Sequence, residues 1–349
     1  MNQTWLQRVL APMLLSIVLA WPLLALGGQQ ADEDQDLTEA EAMVAAASEE
    51  ERRRLRETAS TLEVRLEELS GEAGLYDLSL VEVQTDLGRV YSDLGDYDKA
   101  IEVLTQALHL VRLNSGLYDP QQIRVLEELI EALAAKQDWE NVDNYQHLVF
   151  SLQKRSYAPD SPQFADAVLT MGQWQLAAPA LGRMQGFQML TQISDIKELY
   201  ASQLEYARAR EDLERQWSLI YASAMADVAL ARQYLRSDVS EMMVSAQRYV
   251  NRTICQNVSD GAGGYTRVCW QQSVPNPDYY YQVNNERRNR LDRARVSLNS
   301  ARRQLQEILD NNPEFASTHA DDTRVGLENL NRELRDLQRD SRMRMLGVW

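Results

Sequence analysis

Histidine and cysteine are scarce in this chain, with three and two residues respectively among 349. His109, His147 and His319 stand far apart, and none belongs to a metal-ligand pair at short spacing, so no metal site is expected. Cys255 and Cys269 are not spaced Cys-x-x-Cys, which removes the usual low-pKa arrangement for redox catalysis. No glycine-rich loop has the form of a phosphate cradle. Carboxylates are plentiful, but they run along stretches that read as solvated helices, where paired acids say nothing about catalysis. With no catalytic residue, cofactor or metal assigned, the chain is expected not to be an enzyme.

Basic residues are the minority: 36 Lys and Arg stand against 52 Asp and Glu, for a formal charge of −16. Only Lys99, Lys136, Lys154 and Lys197 are lysines. Phosphate neutralisation needs clustered basic side chains on one face, so no nucleic-acid partner is expected. The stretch from Asn284 onward is close to charge-balanced, so the acidity lies in the front of the molecule and favours a basic partner there.

At the start, Arg8 precedes an apolar run from Val9 to Leu26, and Ala25-Leu26-Gly27 offers small residues where a signal peptidase reads. Residues 1–27 are therefore expected to be a signal peptide, with a periplasmic address. The alternatives are an uncleaved inner-membrane anchor, which is the only membrane contact foreseen, or secretion beyond the cell. The run is about 18 residues, near the lower limit for spanning a bilayer, and Pro12 and Pro22 weaken it as a permanent helix. No cysteine follows it, which leaves a lipid-modified N-terminus without support. Residues 28–36 are polar and acidic without apolar period and read as a disordered leader.

The 44% hydrophobic content supplies real cores. Gly74-Leu75-Tyr76-Asp77 recurs as Gly116-Leu117-Tyr118-Asp119, and the same 42-residue offset aligns Leu87 with Leu129 and Met171, Gly88 with Ile130 and Gly172, Tyr97 with Trp139, Ala100 with Val142, and Ala107 with Val149. Self-similarity at a fixed period marks a helical repeat array, in which each unit buries its apolar face only against its neighbours. Helices are predicted from about Leu78 to Leu94 and Tyr97 to Asn114, from Pro120 to Lys136, and from Asp138 to Arg155. A further helix opens at Ser161-Pro162 and loses its pattern around Pro179 and Gly182. Residues 37–73 read as a capping helix or half repeat, and 74–186 as the array.

The rest differs in kind. Residues 187–250 read as one or two long helices, with a stripe including Leu204, Trp217, Ile220, Ala224, Val228, Ala231 and Leu235. In 251–282, Cys255 and Cys269 are equidistant from Ala262 in a glycine-rich turn, and their flanks are rich in Val, Ile, Thr and Tyr. A β-hairpin turning there sets the cysteines opposite one another, and a Cys255–Cys269 disulfide is expected. Closing a loop of about 15 residues adds about 3 kcal/mol to a ribbon that is marginal alone. Such a hairpin is either a stapled connection between helices or a recognition element using its edge, Tyr265, Trp270 and Tyr279 to Tyr281. In 283–349, Leu291, Ala294, Leu298, Ala301, Leu305 and Ile308 alternate by three and four, a coiled-coil seam, and a last helix follows Pro313.

Leu87-Gly88 with Tyr91, then Gly95, Tyr97, Ala100 and Ala107, resemble the tetratricopeptide repeat (TPR), in its longer 42-residue variety found in kinesin light chains. The likeness covers about 74 to 180. The second unit departs from it at Ile130, Leu133 and Val142, which leaves room for different helix spacing. The stretch is also similar to uncharacterised exported TPR proteins of Gram-negative bacteria. The resemblance implies an all-α array with a concave, mainly polar surface built from first helices, which binds a protein or peptide. Carried over residue by residue, that surface holds Glu82, Arg89, Asp93, Arg124, Glu127, Glu131, Asp166 and Gln173. The expected function is a non-enzymatic protein–protein interaction scaffold. The alternative is an assembly component that forms a homo-oligomer through its C-terminal coiled coil.

Overall fold

The Glu-, Arg-, Ala- and Leu-rich segment ahead of the first Gly-Leu-Tyr-Asp forms a single helix, α1 (Glu33–Ala73). The structure is a computed structural model that describes residues 33–183, 186–236, 247–259, 261 and 263–345. The expected signal peptide lies outside the described residues. Of the expected leader, residues 33–36 are already helical. Among the described residues no helix is long and apolar enough to cross a membrane. The chain divides into two compact units at Ala158 and Pro159, so the boundary falls between the second predicted helix pair and the helix predicted to open at Ser161-Pro162.

In the first unit, α1 leans on α2 (Leu80–Leu94), which pairs with α3 (Tyr97–Ser115); α4 (Gln122–Ala135) and α5 (Trp139–Ser156) repeat the arrangement. Each helix contacts the next, and the two first helices, α2 and α4, also touch. The periodic positions are the core: Leu80, Leu87, Val90 and Tyr91 on α2, Ala100, Leu104, Ala107 and Val111 on α3. Gly88 lets α3 approach, since a Cβ there would fall 2.5 Å from Leu104 Cγ. Buried Ile130 holds the same register in the second pair. Gly95 ends α2 in the left-handed region at φ 84°, where glycine is unstrained, and 42 residues later Gln137 takes that conformation at φ 61°. In both turns the following aspartate N–H donates to a carbonyl five residues back, Asp96 to Tyr91 and Asp138 to Leu133, each at 2.9 Å.

The second unit opens as predicted. The Ser161 hydroxyl accepts from the Phe164 N–H at 3.2 Å, and Pro162 is the first residue of α6 (Pro162–Ala177). A short 3₁₀ turn (Ala178–Leu181) ends the helix. The expected long segment is two helices, α7 (Gly186–Ala209) and α8 (Leu213–Arg236). α6, α7 and α8 contact one another as α2, α3 and α4 do. At Gly172, two repeat lengths after Gly88, a Cβ would come 1.6 Å from the Tyr200 hydroxyl.

Beyond α8 lie β1 (Tyr249–Ser259) and β2 (Tyr265–Pro275), then α9 (Tyr279–Asn311), α10 (Pro313–Thr318) and α11 (Ala320–Met345). The strands form a two-stranded antiparallel ribbon in which Cys255 is directly opposite Cys269, and the two are disulfide-bonded. Leu291, Ala294, Leu298, Ala301 and Leu305 of α9 are buried in one core with Ile220, Ala224, Val228, Ala231 and Leu235 of α8 and Leu330, Leu334 and Leu337 of α11. The predicted seam is thus covered within the chain. Among the described residues the molecule is mostly helical, with one small two-stranded sheet and a disulfide.

Three substitutions test this packing. Gly172→Ala is expected to lower stability by about 1–3 kcal/mol through overpacking. Tyr200→Phe should lessen that loss, because the buried Tyr200 hydroxyl has no hydrogen-bond partner and its removal costs little. Urea unfolding of the single and double variants checks both; an unchanged midpoint for Gly172→Ala would refute the close approach. Leu298→Asp places a carboxylate at a fully buried position and is expected to cost about 4 kcal/mol or more. Sedimentation with circular dichroism should show loss of helix at unchanged subunit number. Dissociation of an oligomer into intact helical subunits would place the seam between molecules instead.

Candidate partner-binding site

On α2, positions 82, 86, 89 and 93 advance by three and four, so their side chains share one stripe; on α4, 124, 127, 128 and 131 stand at i, i+3, i+4 and i+7 and likewise share one. Contact between α2 and α4 joins the stripes into one face. Arg124 reaches across to Asp86 at 2.8 Å, Arg89 meets the same carboxylate at 3.0 Å, and Arg89 also approaches Glu128 at 3.8 Å. Glu82, Arg89, Asp93, Arg124 and Glu127 are exposed and Glu131 is half-buried. Six of the eight predicted residues therefore come together in the first unit, and Asp86 and Glu128, which the sequence reading missed, cross-brace them.

Acids outnumber bases on this face. Asp86, Asp93, Glu127, Glu128 and Glu131, with Glu82 at its end, surround two guanidiniums. Glu128 feels the excess most: its side chain is only 16% exposed, and its carboxyl is pushed up to about 7. Burial is the largest cause, the Glu131 charge adds to it, Arg89 and Arg124 oppose it, and Asp93 raises it further. A cationic side chain arriving here relieves like-charge repulsion and supplies a counter-charge that the two arginines, shared among several carboxylates, do not fully provide.

The remaining two predicted residues, Asp166 and Gln173, are in the second unit, exposed on α6. Asp166 is held by Arg215 of α8 through contacts of 2.8 and 3.0 Å, and Arg215 also binds Asp212 at 2.7 Å. First helices are thus ion-paired across the stack in each unit, Arg124 to Asp86 in one and Arg215 to Asp166 in the other. Arg215 was not legible because its segment reads as one or two long helices without a repeat register to align it. The second unit also has a concavity of about 720 Å³ between α7, α8 and α9, floored by Ser223, Ala224, Ser297 and Ala301.

The Gly-Leu-Tyr-Asp repeat divides into structural and unassigned halves. Gly74 and Gly116 turn the chain at φ 95° and 92°, and Asp77 and Asp119 accept backbone N–H bonds from Ser79 and Gln121 at 2.8 and 2.7 Å. Leu75, Tyr76, Leu117 and Tyr118 are each more than 60% exposed, so the core does not account for them. The Arg155 guanidinium stacks over the Tyr118 ring at 4.2 Å.

No protein-family model matches the chain, and no curated protein matches it.

Glu128 generates a pH prediction. Its carboxyl binds a proton more tightly folded than unfolded, so its ionisation opposes folding: the cost is absent below the ordinary carboxylate range near 4.5 and complete above about 7. Glu128→Gln removes the cost and is expected to raise stability at pH 8 by up to about 3 kcal/mol. The advantage should fade as the pH falls toward 4.5. Thermal melts across that range check it, and an advantage that grows in acid would refute the assignment.

Proposed function

We propose that this protein is an exported, non-enzymatic interaction scaffold whose tetratricopeptide-like helix pairs bind a protein or peptide on the first-helix face of the amino-terminal unit. The observation that carries the reading is the cross-braced α2–α4 face, where Asp86, Arg89, Arg124 and Glu128 are ion-paired beside exposed Glu82, Asp93 and Glu127. Side chains already fixed by ion pairs lose little freedom on binding, which lowers the ordering cost on the protein side. The acid excess suits a segment that presents Lys or Arg. The Cys255–Cys269 bond is in keeping with an oxidising compartment such as the periplasm. The rival reading, self-assembly through a C-terminal coiled coil, finds no free surface at Leu291 to Leu305, because α8 and α11 cover it.

Crosslinking in intact cells, with mass spectrometry of the captured species, tests the proposal. Glu82→Lys combined with Glu127→Lys reverses two exposed charges while leaving the Asp86, Arg89, Arg124 and Glu128 contacts in place. The parent chain is expected to capture one reproducible heterologous partner, and the double variant to lose it at unchanged protein level. Self-crosslinks alone, indifferent to the two substitutions, would overturn the proposal.

A further inference from the structure

The β1–β2 ribbon runs through eleven directly opposed pairs without a bulge, from Tyr249 and Pro275 to Ser259 and Tyr265. It spans about 35 Å. Each strand has only the other as a sheet neighbour, so among the described residues both outer edges are unpaired. The hydrogen-bond phase is fixed at its base, where the Asn276 N–H donates to the Arg248 carbonyl at 2.8 Å across the next opposed pair. Bonded and non-bonded pairs alternate along an antiparallel ladder. Cys255 and Cys269 are therefore a non-hydrogen-bonded pair, in agreement with their 4.0 Å Cα separation. On β2, the N–H and C=O groups of Arg267, Cys269, Gln271 and Ser273 consequently point away from β1.

Natural sheets shield such edges with lysine, proline, bulges or a covering element. Before its final Pro275, β2 carries no lysine and no bulge, Arg267 is its one charged side chain, and no other described strand pairs with it. The strand is exposed from Tyr265 to Ser273, with Tyr265, Val268 and Trp270 all open to solvent, whereas β1 has Val250, Ile254 and Cys255 half-buried. Alternation puts Val268 and Trp270 on one face, with Ile254 opposite Trp270, and Arg267, Gln271 and Ser273 on the other. The two strands contain Arg252 and Arg267 and no acidic residue, within a chain of net charge −16.

We propose that the free edge of β2 is a docking site for an extended segment of another protein, added as a third strand, with apolar residues on the Trp270 face and carboxylates on the Arg267 face. Main-chain bonds along the edge supply affinity and the two faces supply selection. A second copy of this chain is the weaker occupant, because two molecules of charge −16 repel. The site is separate from the α2–α4 face, and either can fail without the other.

A labelled short peptide of alternating valine and glutamate, titrated against the full chain by fluorescence anisotropy, is the test. It is expected to bind, and its valine–lysine counterpart to bind at least about tenfold more weakly, a difference of about 1.4 kcal/mol. Gln271→Pro deletes one outward N–H without touching the β1–β2 ladder and should weaken binding at least about tenfold, whereas Thr253→Pro, its opposite number on β1, should not. Retention of the Cys255–Cys269 bond by mass spectrometry reports an intact ribbon in both variants. Backbone N-methylation of alternate peptide residues tests the same bonds with the protein unaltered, and should abolish binding. The proposal is overturned if the valine–glutamate peptide does not bind, if the lysine peptide binds equally, or if N-methylation has no effect. It is also overturned if Thr253→Pro rather than Gln271→Pro removes binding, or if sedimentation shows a dimer that Gln271→Pro dissolves.

Discussion

A helix of fifteen to nineteen residues, such as α2 or α3, cannot bury its apolar stripe alone, and that requirement organises the amino-terminal unit. Leu87 and Leu104 are buried because α2 and α3 face each other across Gly88; α4 is held because α3 and α2 both border it. The same dependence continues in α6, α7 and α8, where Gly172 admits Tyr200. Beyond α8 the solution changes, as α9 fills the space between α8 and α11 with a ladder of Leu and Ala whose side chains alternate in size. Small residues at Ala294 and Ala301 let the three helices meet around Leu298 and Leu305.

The charged face follows from the same stacking. α2 and α4 lie in contact, so their polar stripes become neighbours, and residues 38 apart in sequence, Asp86 and Arg124, meet. Acidic excess on such a surface is normally diluted by water. Here Glu128 sits low between the helices, where burial keeps water away and neighbouring carboxylates add to the cost of its charge. Its proton affinity reports how closely the first helices are packed.

Much of this was legible in the sequence. The 42-residue register located the first two helix pairs to within about two residues, and the glycine-rich turn centred between the cysteines fixed both the ribbon and its disulfide. The predicted starts at Leu78 and Pro120 came two residues early because Asp77 and Asp119 hold a turn, through the Ser79 and Gln121 N–H groups, before the helices begin. The unit boundary at Ala158 was not legible, since apolar periodicity is the same on both sides of it. Nor was the company of Leu291 to Leu305: a three-four spacing states that a helix has a partner but not whether that partner is in the same chain. The site was half legible. Outward positions were those that the tetratricopeptide resemblance implies on the repeat alignment, whereas Asp86, Glu128 and Arg215 became visible only once first helices were seen side by side.

The ribbon is inserted between α8 and α9, two helices that pack directly on one another. Its base is closed by the Asn276 N–H on the Arg248 carbonyl and by the Asn276 side-chain amide on the Gln247 carbonyl at 2.9 Å, so the two strands are rooted at adjacent points at the foot of the ribbon. Lengthening or shortening the strands by matched residues moves only the far turn and leaves those points in place. The insertion is therefore a module whose reach and edge chemistry can vary without any adjustment in the core that carries it.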